Sequence, residues 1–525
     1  MEKERGITLI ALVVTIVVLL ILAGVSISML TGENGIIQNT KEAKEKSAIS
    51  EEIEMVRLAI MTVKINDKDR SINENTLQNA MDSTIGKDKS EVVEDGDGFY
   101  VYYKDSDRYY IIDGEEKVIH KEIEQIDQYP GDFTKDKNGN TLAGTEGNPY
   151  EIWCIEDLCA LSNRVGQNDN YSNGKNFKLM VDLDFKSRFS YVNGKIENQG
   201  EIPNCTSIEE LKTWLNENGF IPIGDNELYG AFLGNFDGGN HKIKNIYINT
   251  DKPAGLFGVV SQGTNVVIKD FSLTGNINVN TDVNVGGIIG GIAHGGGSEE
   301  FVTKIQNIQN YANVNGIRRV GGIVGFKDNT GKQLIIENCA NYGEITGSGN
   351  GIGGIGGLLY APYIKNCYNS GNINGNMRVG GLIGYLDAEP NKIFNSYNTG
   401  NITGTTYCGG LIGDLYWRET YLINCYNVGD VTGEVKGGII GYANISDELL
   451  NMSNVYFVSN TTSNVVGNGI SLEASKYTKC TEEELKSKEV VNTFNNYIEN
   501  NSSEAIDTSD WRKWKYTKNK YPSFE

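Results

Sequence analysis

Between residues 335 and 433 the chain repeats nearly the same phrase four times. The segments IENCANYGEITG, IKNCYNSGNING, IFNSYNTGNITG and INCYNVGDVTG place asparagines at Asn338, Asn366, Asn395 and Asn424, which fall 28, 29 and 29 residues apart. Glycine pairs in VGGIVGF, VGGLIGY, CGGLIGD and KGGIIGY return between them. A unit this short cannot bury its own apolar face, so successive units must stack. Each holds two short β-like pieces parted by glycine turns, and stacking sets equivalent residues in columns about 4.8 Å apart. The spacing is far from the collagen triplet, and helix-favouring runs are too few for a helical solenoid. The pattern therefore predicts a mainly β fold, a right-handed parallel β-helix (β-solenoid) over 149–460.

Columns follow from the stack. The asparagines Asn338, Asn366, Asn395 and Asn424 are expected at a corner, bonded rung to rung from amide to carbonyl. Tyr368, Tyr397, Tyr426 and Tyr456 make a second column. Facing outward, it would be an aromatic strip able to hold sugars; the simpler reading is ring on ring, steadying the solenoid. Cys339, Cys367 and Cys425 follow their asparagines, Ser396 fills the same slot, and Val455 and Tyr311 are counted with it. A column of small fillers, reduced and buried, fits best. No C-x-x-C occurs and no histidine shares the column, which argues against metal. In-register side chains point the same way, which strains a disulfide.

Composition limits the function. Against 47 Lys and Arg stand 68 Asp and Glu, a net charge of -21, which argues against a nucleic-acid partner because phosphates must be neutralised. Eight cysteines in 525 residues do not make a disulfide scaffold. His120, His241 and His294 are far apart and H-E-x-x-H is absent, so neither a histidine metal site nor any cofactor is expected. Asp387, Asp414 and Asp430 fall outside matching columns, and no carboxylate pair suggests a catalytic site. A non-enzyme is expected, with a carbohydrate-active β-helix, a lyase or glycosidase, as the alternative.

The first thirty residues ask a separate question. From Ile7 to Leu30 there is no charge and no proline, enough chain to cross a bilayer core of about 30 Å as a helix. Lys3 and Arg5 precede the run and the next basic residue is Lys41, so the N-terminus is expected in the cytoplasm and the remainder outside. Apolar residues at Ile49, Ile53, Val56 and Ile60 make one helical stripe. DGDGFYVYYKDSDRYYIIDGEEKVI reads as short strands with Asp-Gly turns; the acidic EDGDG needs no cation as a turn. NPYEIWCIEDLCALSNRV looks like a strand leading into a short helix.

Two resemblances attach to these residues. KERG followed by ITLIALVVTIVVLLILAG resembles the type IV prepilin leader, which implies cleavage by a prepilin peptidase between Gly6 and Ile7. The family's usual glutamate at the fifth mature position is Ala11 here, which bears on entry into a filament. The stretch from Asn148 to about Phe457 resembles bacterial surface proteins with GLUG-motif repeats, on GNPYEIWCIEDLCAL, FIPIG, FDGGNHKIKNIYIN, AGLFG and the repeated units above. The tail, TKCTEEELKSKEVVNTF and WRKWKYTKNKYPSFE, is similar to the closing segment of such proteins and is expected to cover the last open rung.

The expected organisation is a leader at 1–6, a transmembrane and amphipathic pilin-like α-helix at 7–65 and a small α+β head at 66–126. A linker at 127–148, the β-helix at 149–460 and a cap at 461–525 follow. The expected function is that of a bacterial cell-surface adhesin-like or structural protein. It would be anchored in the membrane through 7–30, and a minor pilin or secretion-system pseudopilin remains compatible. Expected partners are the membrane, the peptidase, pilus or secretion-system subunits and a surface glycan or host ligand.

Overall fold

Each repeat becomes one turn of a parallel β-solenoid of about nine turns. The computed structural model describes residues 36–66, 72–121 and 133–525, less 96–97, 107, 114–115, 137–138, 169, 186–214, 216, 218, 225–229, 262, 294–300, 330–332, 389, 417, 459–461 and 502–505. The expected leader and apolar helix, with Gly6 and Ile7, lie outside these residues. Among the described residues no helix is long and apolar enough to cross a membrane. The chain divides into two compact units, 1–125 and 126–525.

In the first unit the stripe of small and branched residues forms the buried face of helix Ile36–Asn66, with Val56, Ala59, Ile60 and Val63 almost fully covered. They pack on Leu77 and Met81 of helix Glu74–Ile85, which the sequence reading did not anticipate. Its signal is a reciprocal cap: Thr76 N donates to Asn73 Oδ1 (2.9 Å) and Asn73 N to Thr76 Oγ1 (3.0 Å). Four antiparallel strands, Ser90–Asp95, Gly98–Tyr103, Arg108–Ile112 and Val118–Lys121, complete the unit.

The second unit opens with strand Tyr150–Ile152 and helix Ile155–Gln167, as the sequence suggests. A single solenoid turn shows the plan. Strand Pro362–Lys365 runs to a corner at Asn366, then Tyr368–Asn369 and Ile373–Asn374 complete its share of the broad sheet. Met377–Gly380 belongs to a six-stranded middle sheet and Ile383–Asp387 to an eight-stranded third sheet. Every step pairs in register with the next turn: Ile364 with Ile393, Tyr368 with Tyr397, Ile373 with Ile402, Val379 with Cys408 and Ile383 with Ile412. Columns such as Ile336, Ile364, Ile393 and Leu422 are fully buried, each side chain contributing about 1.5–3 kcal/mol.

Two features make the turns tight. The corner asparagines adopt left-handed backbone, with φ of 55° at Asn338, 54° at Asn366, 50° at Asn395 and 54° at Asn424, a conformation Asn tolerates better than most residues. Inside, a second asparagine column, Asn310, Asn341, Asn369, Asn398 and Asn427, is linked turn to turn at 2.7–2.8 Å. The second glycine of each pair makes room for it: a Cβ at Gly381 would lie 2.5 Å from Asn398 Cγ.

The tail departs from expectation. The last turn runs on past 460 through Val466–Gly469 and Thr478–Lys479. Ile470, Leu472 and Tyr477 pack against its core. Helix Lys488–Asn500 and hairpin strands Trp514–Lys515 and Ser523–Phe524 instead lie along the flank of the broad sheet, against Phe394, Tyr397, Ile423, Tyr426 and Val458. Those large apolar side chains point outward from several turns, so the tail covers the flank and not the last rung alone.

Candidate functional site

The tyrosine column lies on the covered flank. Tyr368 and Tyr397 stack at 4.8 Å with an interplanar angle of 0°, and Tyr397 and Tyr426 at 4.8 Å and 8°. Trp514 packs at 5.7 Å from both Tyr397 and Tyr426, Phe524 at 5.5 Å from Tyr397, and Phe494 at 5.4 Å from Tyr456. Tyr426 is 0% exposed, Tyr397 7%, and the Tyr426 hydroxyl donates to Pro522 O. Burial drives the Tyr397 and Tyr426 hydroxyls well above the usual tyrosine range. An outward strip for sugars is therefore not what the fold makes of this column, because the tail occupies the ring surfaces.

Three of the corner asparagines, Asn366, Asn395 and Asn424, lie under the same cover, and Asn338 lies beyond it. Asn366 Nδ2 donates to Asn338 Oδ1 (3.1 Å) and Asn395 Nδ2 to Asn366 Oδ1 (2.7 Å). Tail groups use the spare capacity: Asn366 Nδ2 also reaches Asp510 O, Arg512 N donates to Asn366 Oδ1, and Asn395 Nδ2 reaches Arg512 O. Trp514 Nε1 donates to Asn395 Oδ1, and Asn424 Nδ2 donates to Phe494 O at 3.0 Å. Cys339, Cys367 and Cys425 are 0% exposed, their thiols lying 3.2–3.3 Å from carbonyls two residues back. Burial pushes the Cys425 thiol up to about 12. Tyr311 does not belong to their column: Gln309 pairs with Ala340 and Asn310 with Asn341, so Tyr311 matches Tyr342, on which it stacks at 4.4 Å, and Ile308 takes the cysteine slot.

A different surface is open. In the third sheet Phe326, Leu358, Tyr385, Asp414 and Tyr442 pair in one column, and Tyr360 pairs with Asp387 beside it. Arg319, just before middle strand Val320–Gly321, and Arg378 and Tyr407, at the equivalent places inside Met377–Gly380 and Thr406–Gly409, have φ of 52°, 60° and 59°. That backbone lays their side chains across the third sheet. The Arg319 guanidinium sits 4.4 Å over Phe326 and that of Arg378 4.4 Å over Tyr385, while Tyr407 stacks on Tyr442 at 4.6 Å. Arg378 Nε lies 2.8 Å from Asp414 Oδ2, and Tyr385 donates to Asp387 Oδ2 at 3.3 Å.

Asp414 is 2% exposed and its Oδ1 has no hydrogen-bond partner. Burial raises its carboxyl to about 6 against the pull of Arg378, and the charge of Asp387 raises it further. Asp387 and Asp414 thus act on each other from adjacent columns, a relation that comparing like positions between repeats misses. Asp430 lies elsewhere, its N accepted by Asn401 Oδ1. Beneath the ridge Lys327, 0% exposed, takes a position filled by Leu359 in the next turn. Its amine donates to Asp328 O (2.9 Å) and is pushed down to about 8 by burial. Among the described residues no three His, Cys, Asp or Glu side chains are grouped to hold a metal; His241 faces Asp182 at 3.2 Å.

No family model matches the chain. Over 187 residues, 35% of this chain and 2% of the relative, it is 29% identical to halomucin of Haloquadratum walsbyi, so it spans only a small fraction of that protein's length. A solved structure from Bacteroides ovatus, described as that of "a putative immunoglobulin A1 protease", is 19% identical, with a TM-score of 0.43 over 75% of this chain and 97% of that one.

Proposed function

We propose that the chain is a surface-displayed β-solenoid of adhesin-like or structural function, held at a bacterial membrane through 7–30 after prepilin-type cleavage between Gly6 and Ile7. The open aromatic and guanidinium ridge of the third sheet carries the reading: one flank of the solenoid is covered by its own tail, and this face is left to meet something else. The prepilin-like leader and the GLUG-like repeats agree with export and display. Ala11 weighs against a major pilin and leaves a minor pilin compatible.

Antibody labelling of residues 149–525 on intact cells, together with mass spectrometry of the mature N-terminus, tests the reading. Labelling without permeabilisation and a chain starting at Ile7 are expected; a chain that labels only after permeabilisation sinks it. A second reading, a carbohydrate-active enzyme, is favoured by Asp414, whose carboxyl near 6 beside Asp387 could donate a proton near neutral pH. Release of oligosaccharide from a polysaccharide, abolished in Asp414→Asn, would promote that reading over the first.

A further inference from the structure

We infer that the third-sheet ridge binds an extended polysaccharide chain, running along the solenoid axis over Arg319, Phe326, Tyr360, Arg378, Tyr385 and Tyr442. This rests on the surface-display reading and names the ligand class for the same face.

The first argument is conformational. Arg319, Arg378 and Tyr407 hold a left-handed backbone that is costly for bulky residues, whereas the equivalent position one turn after Arg319 is Gly351, φ 77°. The corner itself is therefore satisfied by glycine. Strain of this kind persists at ligand clamps, and here it places two guanidinium groups and a ring on the open sheet face.

The second argument is chemical. Guanidinium groups laid over Phe326 and Tyr385, and the stacked rings of Tyr407 and Tyr442, share the ridge with the half-buried carboxylate of Asp387. A sugar supplies the complement: C–H faces for the rings, and hydroxyls that both donate to carboxylates and accept from arginine. A nucleic acid is opposed by the net charge of -21. An added peptide strand needs an unpaired sheet edge, while the ridge lies across strands paired on both sides.

The third argument is the repeat. Turns about 4.8 Å apart present Phe326, Tyr385 and Tyr442 on alternate rungs, which suits a polymer of like units better than one compact ligand.

The test uses the full chain extracted in detergent, with dextran, polygalacturonate, hyaluronan and chitin oligosaccharides as probes in affinity electrophoresis. At least one probe is expected to bind, with affinity falling at least tenfold in Arg319→Ala and Tyr385→Ala and unchanged in Thr403→Ala on the broad sheet. Tyr442→Ala, at the far end of the ridge, replaces Tyr385→Ala if that variant loses its native circular dichroism. Binding by none of the probes, or binding untouched by the ridge variants, overturns the inference. So does a dimer in sedimentation that Tyr385→Ala dissolves, which would assign the ridge to a second copy of the chain. If the extracted chain binds through the ridge but is absent from the cell surface, the display reading fails and the ridge assignment stands.

Discussion

Two flanks of one solenoid carry aromatic columns and end up unlike. On the broad sheet Tyr368, Tyr397 and Tyr426 stack face to face and run under Trp514 and Phe524, which bury Tyr397 and Tyr426 and cover Tyr368 in part. On the third sheet Phe326, Tyr385 and Tyr442 alternate with Leu358 and Asp414 and stay partly exposed, the first two under arginine and Tyr442 against Tyr407. Stacking from turn to turn explains the first column; in the second each ring packs on Arg319, Arg378 or Tyr407 instead, and neither pattern says which flank is covered. Cover comes from residues 488–501 and 506–525, outside the repeats, whose apolar helix face and two tryptophans fit one flank.

The largest expected effect breaks this comparison by uncovering the first flank. Trp514 is 1% exposed, 4.8 Å from Phe494 and 4.6 Å from Phe524. Trp514→Ala should weaken tail docking by about 3–5 kcal/mol, read as rapid proteolysis within 480–525 while the solenoid survives. A tail that remains protected would show that another contact supplies the cover.

The next two sharpen it on the ridge side, where buried charge replaces stacked rings. With its amine pushed from 10.5 to about 8, Lys327 is penalised in the fold at neutral pH. Lys327→Met should gain about 2–3 kcal/mol at pH 7 in denaturant unfolding. The gain should shrink as pH rises from 8 toward 10.5, where the unfolded chain alone still holds the proton. Asp414 has the opposite sign. Its carboxyl, raised from 3.8 to about 6, holds a proton in the fold that the unfolded chain has lost, so its contribution is full below pH 3.8 and gone above pH 6. Relative to Asp414→Asn, the wild type should lose about 2–3 kcal/mol between pH 4 and 7; a pH-independent difference would contradict its burial. The smallest effect is at the strained corner. Tyr407→Gly relieves φ 59° but loses the stack on Tyr442, leaving a net change within about 0.5 kcal/mol.

The corner asparagines were legible because Asn338 and its repeats sit in one invariant phrase, and a polar residue recurring every turn needs a partner in the next. The inner column, Asn341, Asn369, Asn398 and Asn427, recurs with the same period three residues on; its burial could have been suspected from the glycine pairs that make room for it. The ridge stayed hidden for a physical reason. Its column changes from Phe326 to Leu358, Tyr385, Asp414 and Tyr442, so no residue type recurs, and the arginines reach it only through a left-handed corner. The flank position of the tail depends on contacts more than 100 residues apart, such as Trp514 with Asn395, which local pattern does not encode.

The two asparagine columns also have a polarity. At the corner the amides from Asn395 back to Asn307 donate toward the earlier turn, Asn395 to Asn366, Asn366 to Asn338, Asn338 to Asn307 and Asn307 to Asp270, while Asn424 donates to Phe494 O in the tail. Inside, each donates toward the later turn, Asn310 to Asn341 and onward to Asn427. Each chain of amides is polarised along its length, and because the two run in opposite senses their dipoles oppose. The corner chain terminates at a residue that only has to accept, and there the asparagine gives way to a carboxylate, Asp270. The turns of Asn338 and Asn366 give and receive one bond in each chain. A 28- or 29-residue unit can therefore be duplicated or deleted there with both amide chains closing again, and what ties the fold to its present number of turns is the tail, which bonds Asn366 and Asn395 from outside the repeats.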